Sequence, residues 1–137
     1  MPARILVVDD ETHLTCVLAF KLRQAGATVS TAANGLEGLA AAAEFQPELI
    51  VSDYQMPEMD GLQFVKTLAA DPTLAAIPVI LLTARGHRIA PADLADTGVR
   101  ALLPKPFSAR DLLRQIGEIL PAAGLAPAPA AAHSAIT

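Results

Sequence analysis

Five residues carry the chemistry this sequence can do. Two adjacent aspartates, Asp9 and Asp10, end the aliphatic run 5–8, and a third, Asp53, ends the stretch "ELIVSD". Thr83 closes "IPVILLT", and Lys105 stands between two prolines in "PKPF". A buried apolar run that ends in unpaired carboxylates is costly unless something positive arrives. Oxygen donors favour a hard divalent cation, magnesium or manganese over zinc, and magnesium leaves coordination positions open for a phosphoryl oxygen. Phosphoryl transfer asks for an in-line nucleophile, a metal, and groups that take the equatorial oxygens. Asp53 can serve as a nucleophile that forms an acyl phosphate. Asp10, assisted by Asp9 and its waters, would hold the metal, and Lys105 and the Thr83 hydroxyl would meet the phosphoryl oxygens.

Each residue alone has a plainer reading. A strand-terminal aspartate often caps the next helix, Thr83 suits a strand end, and Lys105 suits an exposed loop. Their joint placement is what matters, and that depends on the elements around them. After the first apolar run, "ETHLTCVLAFKLRQAG" sets Leu14, Leu18, Leu22 and Ala25 at helical spacing and stops at Gly26. "ATVSTAANG" reads as a weak strand ending in an Asn-Gly turn, and "LEGLAAAAEF" as a helix closed before Pro47. "ELIVSD" is a second buried strand, "YQMPEMDG" a loop, "LQFVKTLAA" a helix and "IPVILLT" a strand. A poor helix over 91–96, a short strand "RALL" and the amphipathic helix "SARDLLRQIGEIL" follow.

Strands alternating with helices predict an α/β fold with a doubly wound, five-stranded parallel sheet, for which 2-1-3-4-5 is the leading strand order. Ligands then bind outside the carboxyl ends of the strands, where the order reverses, and that edge gathers all five residues.

Composition limits the alternatives. A chain of 137 residues with 53% hydrophobic content fits a single domain that needs no disulfide. The one cysteine, Cys16, suits a reducing cytoplasm and reads as a small apolar filler of the first helix. No signal peptide or membrane span is expected. A formal charge of -4 with scattered lysines and arginines gives no nucleic-acid footprint. The stretch 121–137 holds no Asp, Glu, Lys or Arg and reads as a disordered Pro/Ala-rich tail after a domain over 1–120.

Over 4–120 the sequence resembles a response-regulator receiver domain of two-component signalling, in its stand-alone, chemotaxis-regulator-like form. The resemblance rests on "VVDD", "IVSDYQMPEMDG", "LLTA" and "PKPF", four motifs in order. It implies a flavodoxin-like receiver fold with Asp53 as phosphoacceptor. It also implies Mg2+ held by Asp9, Asp10, Asp53 and the backbone carbonyl of Gln55, Thr83 as switch hydroxyl, and Lys105 on the phosphoryl group. A cis peptide between Lys105 and Pro106 is implied too. Gln55 and Arg85 would flank the path of attacking water, with Arg85 screening the acyl phosphate or pairing with Glu58. Leu102 stands where receivers commonly carry Tyr or Phe, so the loop and helix over 85–97 would move with Thr83 while Leu102 packs passively.

A histidine kinase or phosphotransfer protein would be the donor, and a second protein the target, with no nucleic acid and no membrane involved. His13, His87 and His133 are read as solvated or capping side chains, not donors. No output domain is read after the last helix, so the protein should act by binding, without being an enzyme beyond its own phosphorylation and autodephosphorylation. Two other functions share part of the pattern. A phosphohydrolase of the haloacid dehalogenase type would want a second aspartate where Gln55 stands, and a receiver-like adaptor would bind a partner unphosphorylated.

Overall fold

The computed structural model describes residues 2–84, 88–125 and 135–136. Five strands, β1 (Arg4–Val8), β2 (Thr28–Ala32), β3 (Leu49–Asp53), β4 (Val79–Thr83) and β5 (Val99–Pro104), form one sheet in the order β2-β1-β3-β4-β5. Every pairing within it is parallel. This is the doubly wound order that the alternation of elements predicts.

Side chains alternate across the sheet. Ile5, Val7, Leu49, Val51, Ile80, Leu82 and Leu103 face α1 (Thr12–Gln24) and α5 (Ala109–Ile119). Leu6, Val8, Ile50, Val79 and Leu81 face α2 (Gly35–Phe45) and α3 (Gly61–Ala70). Because both faces are covered, β3 and β4 are buried at every position, which is why they read as unbroken apolar runs. Leu14, Leu18 and Leu22 of α1 are buried as their spacing predicts, and the chain leaves that helix through Gly26 at φ 108.

Several expectations are corrected. The helix expected over 91–96 is a single turn, α4 (Pro91–Leu94), and buries no residue. The chain leaves the helical path at Ala95, which is extended at φ -60 and ψ 140, and Asp96 after it takes a left-handed φ of 61. Cys16 is exposed and not a core filler, because the buried stripe of α1 runs through Leu14, Thr15, Leu18, Ala19 and Leu22. Asn34 and Gly35, read as a turn, are the N-cap and first residue of α2; the Asn34 side chain accepts a hydrogen bond from the Glu37 amide at 2.9 Å.

Beyond the expected elements, β6 (Phe107–Ser108) pairs antiparallel with β7 (Ala135–Ile136). Residues 121–123 form a 3₁₀ turn, and Leu125 packs against the α1/α5 side of the core. Arg85, His87 and His133 lie outside the described residues.

Candidate functional site

The carboxyl ends of the strands bring the predicted residues to one edge. Val8 pairs with Ser52 and Asp53 with Leu82, so β1 and β3 deliver Asp9 and Asp53 side by side. The Asp9 amide donates to the Ala32 carbonyl at 3.1 Å and the Tyr54 amide to Leu82 at 2.9 Å, which extends the sheet bonding past both aspartates. Thr83 pairs with Pro104, and the Lys105 amide donates to the Thr83 carbonyl at 2.7 Å. The Lys105–Pro106 peptide is cis, as the family resemblance implies.

One oxygen from each of Asp9, Asp10 and Asp53 lies within 4.8 Å of the others. Asp9 and Asp53 are buried, and Asp10 is exposed. Lys105 Nζ lies 3.2 Å from Asp53 Oδ1 and 3.9 Å from Asp9 Oδ2. Asp9 Oδ1 accepts from the Glu11 amide at 2.8 Å, but its Oδ2 is buried with no hydrogen-bond partner. Thr15 holds the turn below by donating from Oγ1 to the Asp9 carbonyl at 3.3 Å and to the Glu11 carbonyl at 3.0 Å.

These carboxyls are poorly neutralised. Burial pushes Asp9 up from 3.8 to about 6; the Glu11 amide opposes this and the nearby Asp53 charge adds to it. Burial also raises Asp53, with the Lys105 ammonium pulling against it. Three carboxylates against one ammonium leave two formal negative charges. With all-oxygen donors and an orphaned buried carboxylate oxygen, the cluster could hold a divalent metal ion.

Gln55 lies beside the cluster on the wall of a cavity shared with Asp10, Asp53, Tyr54, Asp60 and Lys105. Asp60 was not singled out from the sequence, although its signature is legible there. It accepts from the Gln63 amide at 2.8 Å while Gln63 Oε1 accepts from the Asp60 amide at 3.0 Å, a reciprocal cap that fixes where α3 begins. Thr83 is buried at the end of β4.

Comparison with known proteins shows the family and the fold. A sequence model of the response regulator receiver domain matches residues 5–117. The chain belongs to the response-regulator receiver family. It is therefore a receiver of the kind found in two-component signalling systems. It is 35% identical over 133 residues to the DNA-binding dual master transcriptional regulator RpaA of Synechocystis, covering 97% of this chain and 55% of that protein. It is 33% identical over 120 residues to the alkaline phosphatase synthesis transcriptional regulatory protein PhoP of Bacillus subtilis, covering 88% and 49%. The chain spans about half the length of the curated relatives it matches.

Among solved structures, the chemotaxis response regulator CheY4 of Vibrio cholerae superposes with a TM-score of 0.80 at 32% identity, covering 88% of this chain and 100% of that one. A response regulator from Chloroflexus aurantiacus gives 0.80 at 30% identity, covering 88% and 99%. Among the described residues, no helix is long and apolar enough to cross a membrane.

Proposed function

We propose that this receiver takes a phosphoryl group from a phosphohistidine onto Asp53 and signals by binding a second protein. One observation carries the reading: Lys105 Nζ sits 3.2 Å from Asp53 Oδ1 inside a cluster of three carboxylates, one of which keeps a buried oxygen without a hydrogen-bond partner. Asp53 has the nucleophilic oxygen. It attacks phosphorus, the phosphorus–nitrogen bond to the donor imidazole breaks, and the electron pair leaves with that nitrogen, giving an acyl phosphate and a free histidine.

Asp9, Asp10, Asp53 and the backbone carbonyl of Gln55 are the residues that would hold magnesium, which when bound neutralises charge on the phosphoryl oxygens. Lys105 already touches the acceptor carboxylate and stays beside it to bind a phosphoryl oxygen. The Thr83 hydroxyl, at the end of the neighbouring strand, would take another and so tie the β4 end to the state of Asp53. The chemistry is the protein's own modification and its reversal, not turnover of a separate substrate.

The donor is a histidine kinase or phosphotransfer protein and the target is a protein. DNA binding belongs, by its name, to the longer relative RpaA. A cytoplasmic location fits the lone cysteine and the family's partners. Incubation with acetyl phosphate and magnesium, followed by intact mass, should give one phosphoryl adduct that EDTA prevents. No adduct with magnesium, or an undiminished one in EDTA, overturns the reading.

A further inference from the structure

Gly35 is the first residue of α2, in backbone that any residue tolerates, so no turn requires a glycine there. Its surroundings do. A Cβ at this position would lie 2.7 Å from Met59 Sδ, 2.9 Å from its Cγ and 3.1 Å from its Cβ. Met59 belongs to the loop that joins β3 to α3 and carries Gln55 past the carboxylate cluster. That loop is tight: the Met59 amide donates to the Pro57 carbonyl at 2.7 Å, and Glu58 between them is forced to a φ of 68. Met56 is buried in the α2/α3 side of the core, and the Gly61 amide donates to the Tyr54 carbonyl at 2.7 Å. Met59 adds a seat on a different element, α2.

We propose that Gly35 is a positioning residue for metal binding: by leaving room for Met59 it fixes the loop over 54–60, and with it the Gln55 carbonyl, in the geometry the metal site uses. The inference rests on the proposed magnesium site. A loop held in place before the ion arrives loses less freedom on binding, and groups that orient a ligand from behind commonly govern metal affinity; here the orientation would come through packing of the loop. Rotating the Met59 side chain would move Sδ and Cγ away from an added methyl at position 35, but that takes Met59 out of its seat, and its Cβ, 3.1 Å away, must still give by a few tenths of an ångström.

The test uses the full chain, whose single tyrosine, Tyr54, is next to Asp53 on the cavity wall and whose tryptophan count is zero. Tyrosine fluorescence during a magnesium chloride titration therefore reports on the site itself. Wild type, Gly35→Ala, Met59→Ala and the double variant are compared, with melting temperatures in EDTA and in magnesium recorded alongside. Alanine is the better helix former, so a purely local effect of Gly35→Ala would favour α2.

The expected result is about tenfold weaker magnesium binding in Gly35→Ala. Met59→Ala, which empties the seat, should also bind more weakly. The double variant should bind more tightly than either single one, because the alanine methyl occupies space that the methionine vacates. Unchanged magnesium midpoints in the single variants, whatever their melting temperatures, overturn the inference, and so does a double variant whose losses simply add. Should Gly35→Ala fail to fold, Met59→Ala decides: weaker binding supports the seat and unchanged binding overturns it. A wild type in which magnesium changes neither fluorescence nor melting temperature removes the metal site and this inference together.

Discussion

Asp9 holds a carboxyl that the fold would sooner keep neutral. Its pKa is raised from 3.8 to about 6 by burial, so the folded state binds the proton more tightly than the unfolded chain. Its contribution to stability is fully present below the ordinary value and is lost as pH rises through about 6. Asp9→Asn should therefore stabilise the metal-free protein at pH 7 by on the order of 2 kcal/mol, and the gain should vanish near pH 4. Melting curves in EDTA across that pH range check this; a gain that is independent of pH would contradict it. Magnesium should relieve the same strain. At about 100 times its dissociation constant it adds about 2.7 kcal/mol, and the rise in melting temperature should shrink below pH 6 as protons compete for Asp9.

Lys105 is the counterpart. Lys105→Met leaves Asp53 and Asp9 without their ammonium, so the metal-free protein should lose stability at neutral pH, by about 3 kcal/mol if the carboxylates stay charged. Chemical denaturation in EDTA at pH 7 measures it, and magnesium should restore part of the loss. The five candidate residues were legible because Asp9, Asp53 and Thr83 each close an apolar run, with Asp10 next to Asp9 and Lys105 one proline past "ALL", a pattern visible without coordinates. The Gly35–Met59 contact was not, since two residues 24 positions apart meet only after α2 and the β3–α3 loop are both in place.

At the scale of elements, the buried strands and their order were readable because covered parallel strands leave continuous aliphatic runs and right-handed crossovers leave few orders to choose from. Weakly patterned pieces were harder. None of the four residues of α4 is fully buried, and helix propensity over 91–96 did not reveal that the chain turns extended at Ala95. The Asn34–Gly35 pair has the same composition whether it turns a hairpin or caps a helix; the Glu37 amide decides. The β6–β7 pair has two residues per strand and no alternation to read.

Because, among the described residues, α4 and the segment leading into it are anchored through partly buried Ile89 and Leu94, amide exchange should be faster across 88–98 than in β4 or α5. Beryllofluoride, a phosphoryl mimic, should shift amide resonances across the same segment. Leu102 pairs with Leu81 and is 39% exposed, so Leu102→Ala should leave most of those shifts intact. Their collapse in that variant would make the leucine itself the switch.

For the whole molecule, a sheet with two covered faces holds one charged edge in place, and the proposed acceptor carboxylate stands at that edge. We take 1–120 as the folding unit, with 121–137 an appendage to it. Truncation after Leu125 should then leave the melting temperature within about 4 °C, a change of under about 1 kcal/mol. The measurement that tests the central claim most directly is chemical mapping of the phosphorylated residue. After treatment with acetyl phosphate and magnesium, borohydride reduces an acyl phosphate of aspartate to homoserine, and peptide mass analysis locates it. The account predicts homoserine at position 53, absent when EDTA replaces magnesium. Reduction at Asp9, Asp10 or elsewhere, or a phosphorylated protein that yields no homoserine, would contradict it.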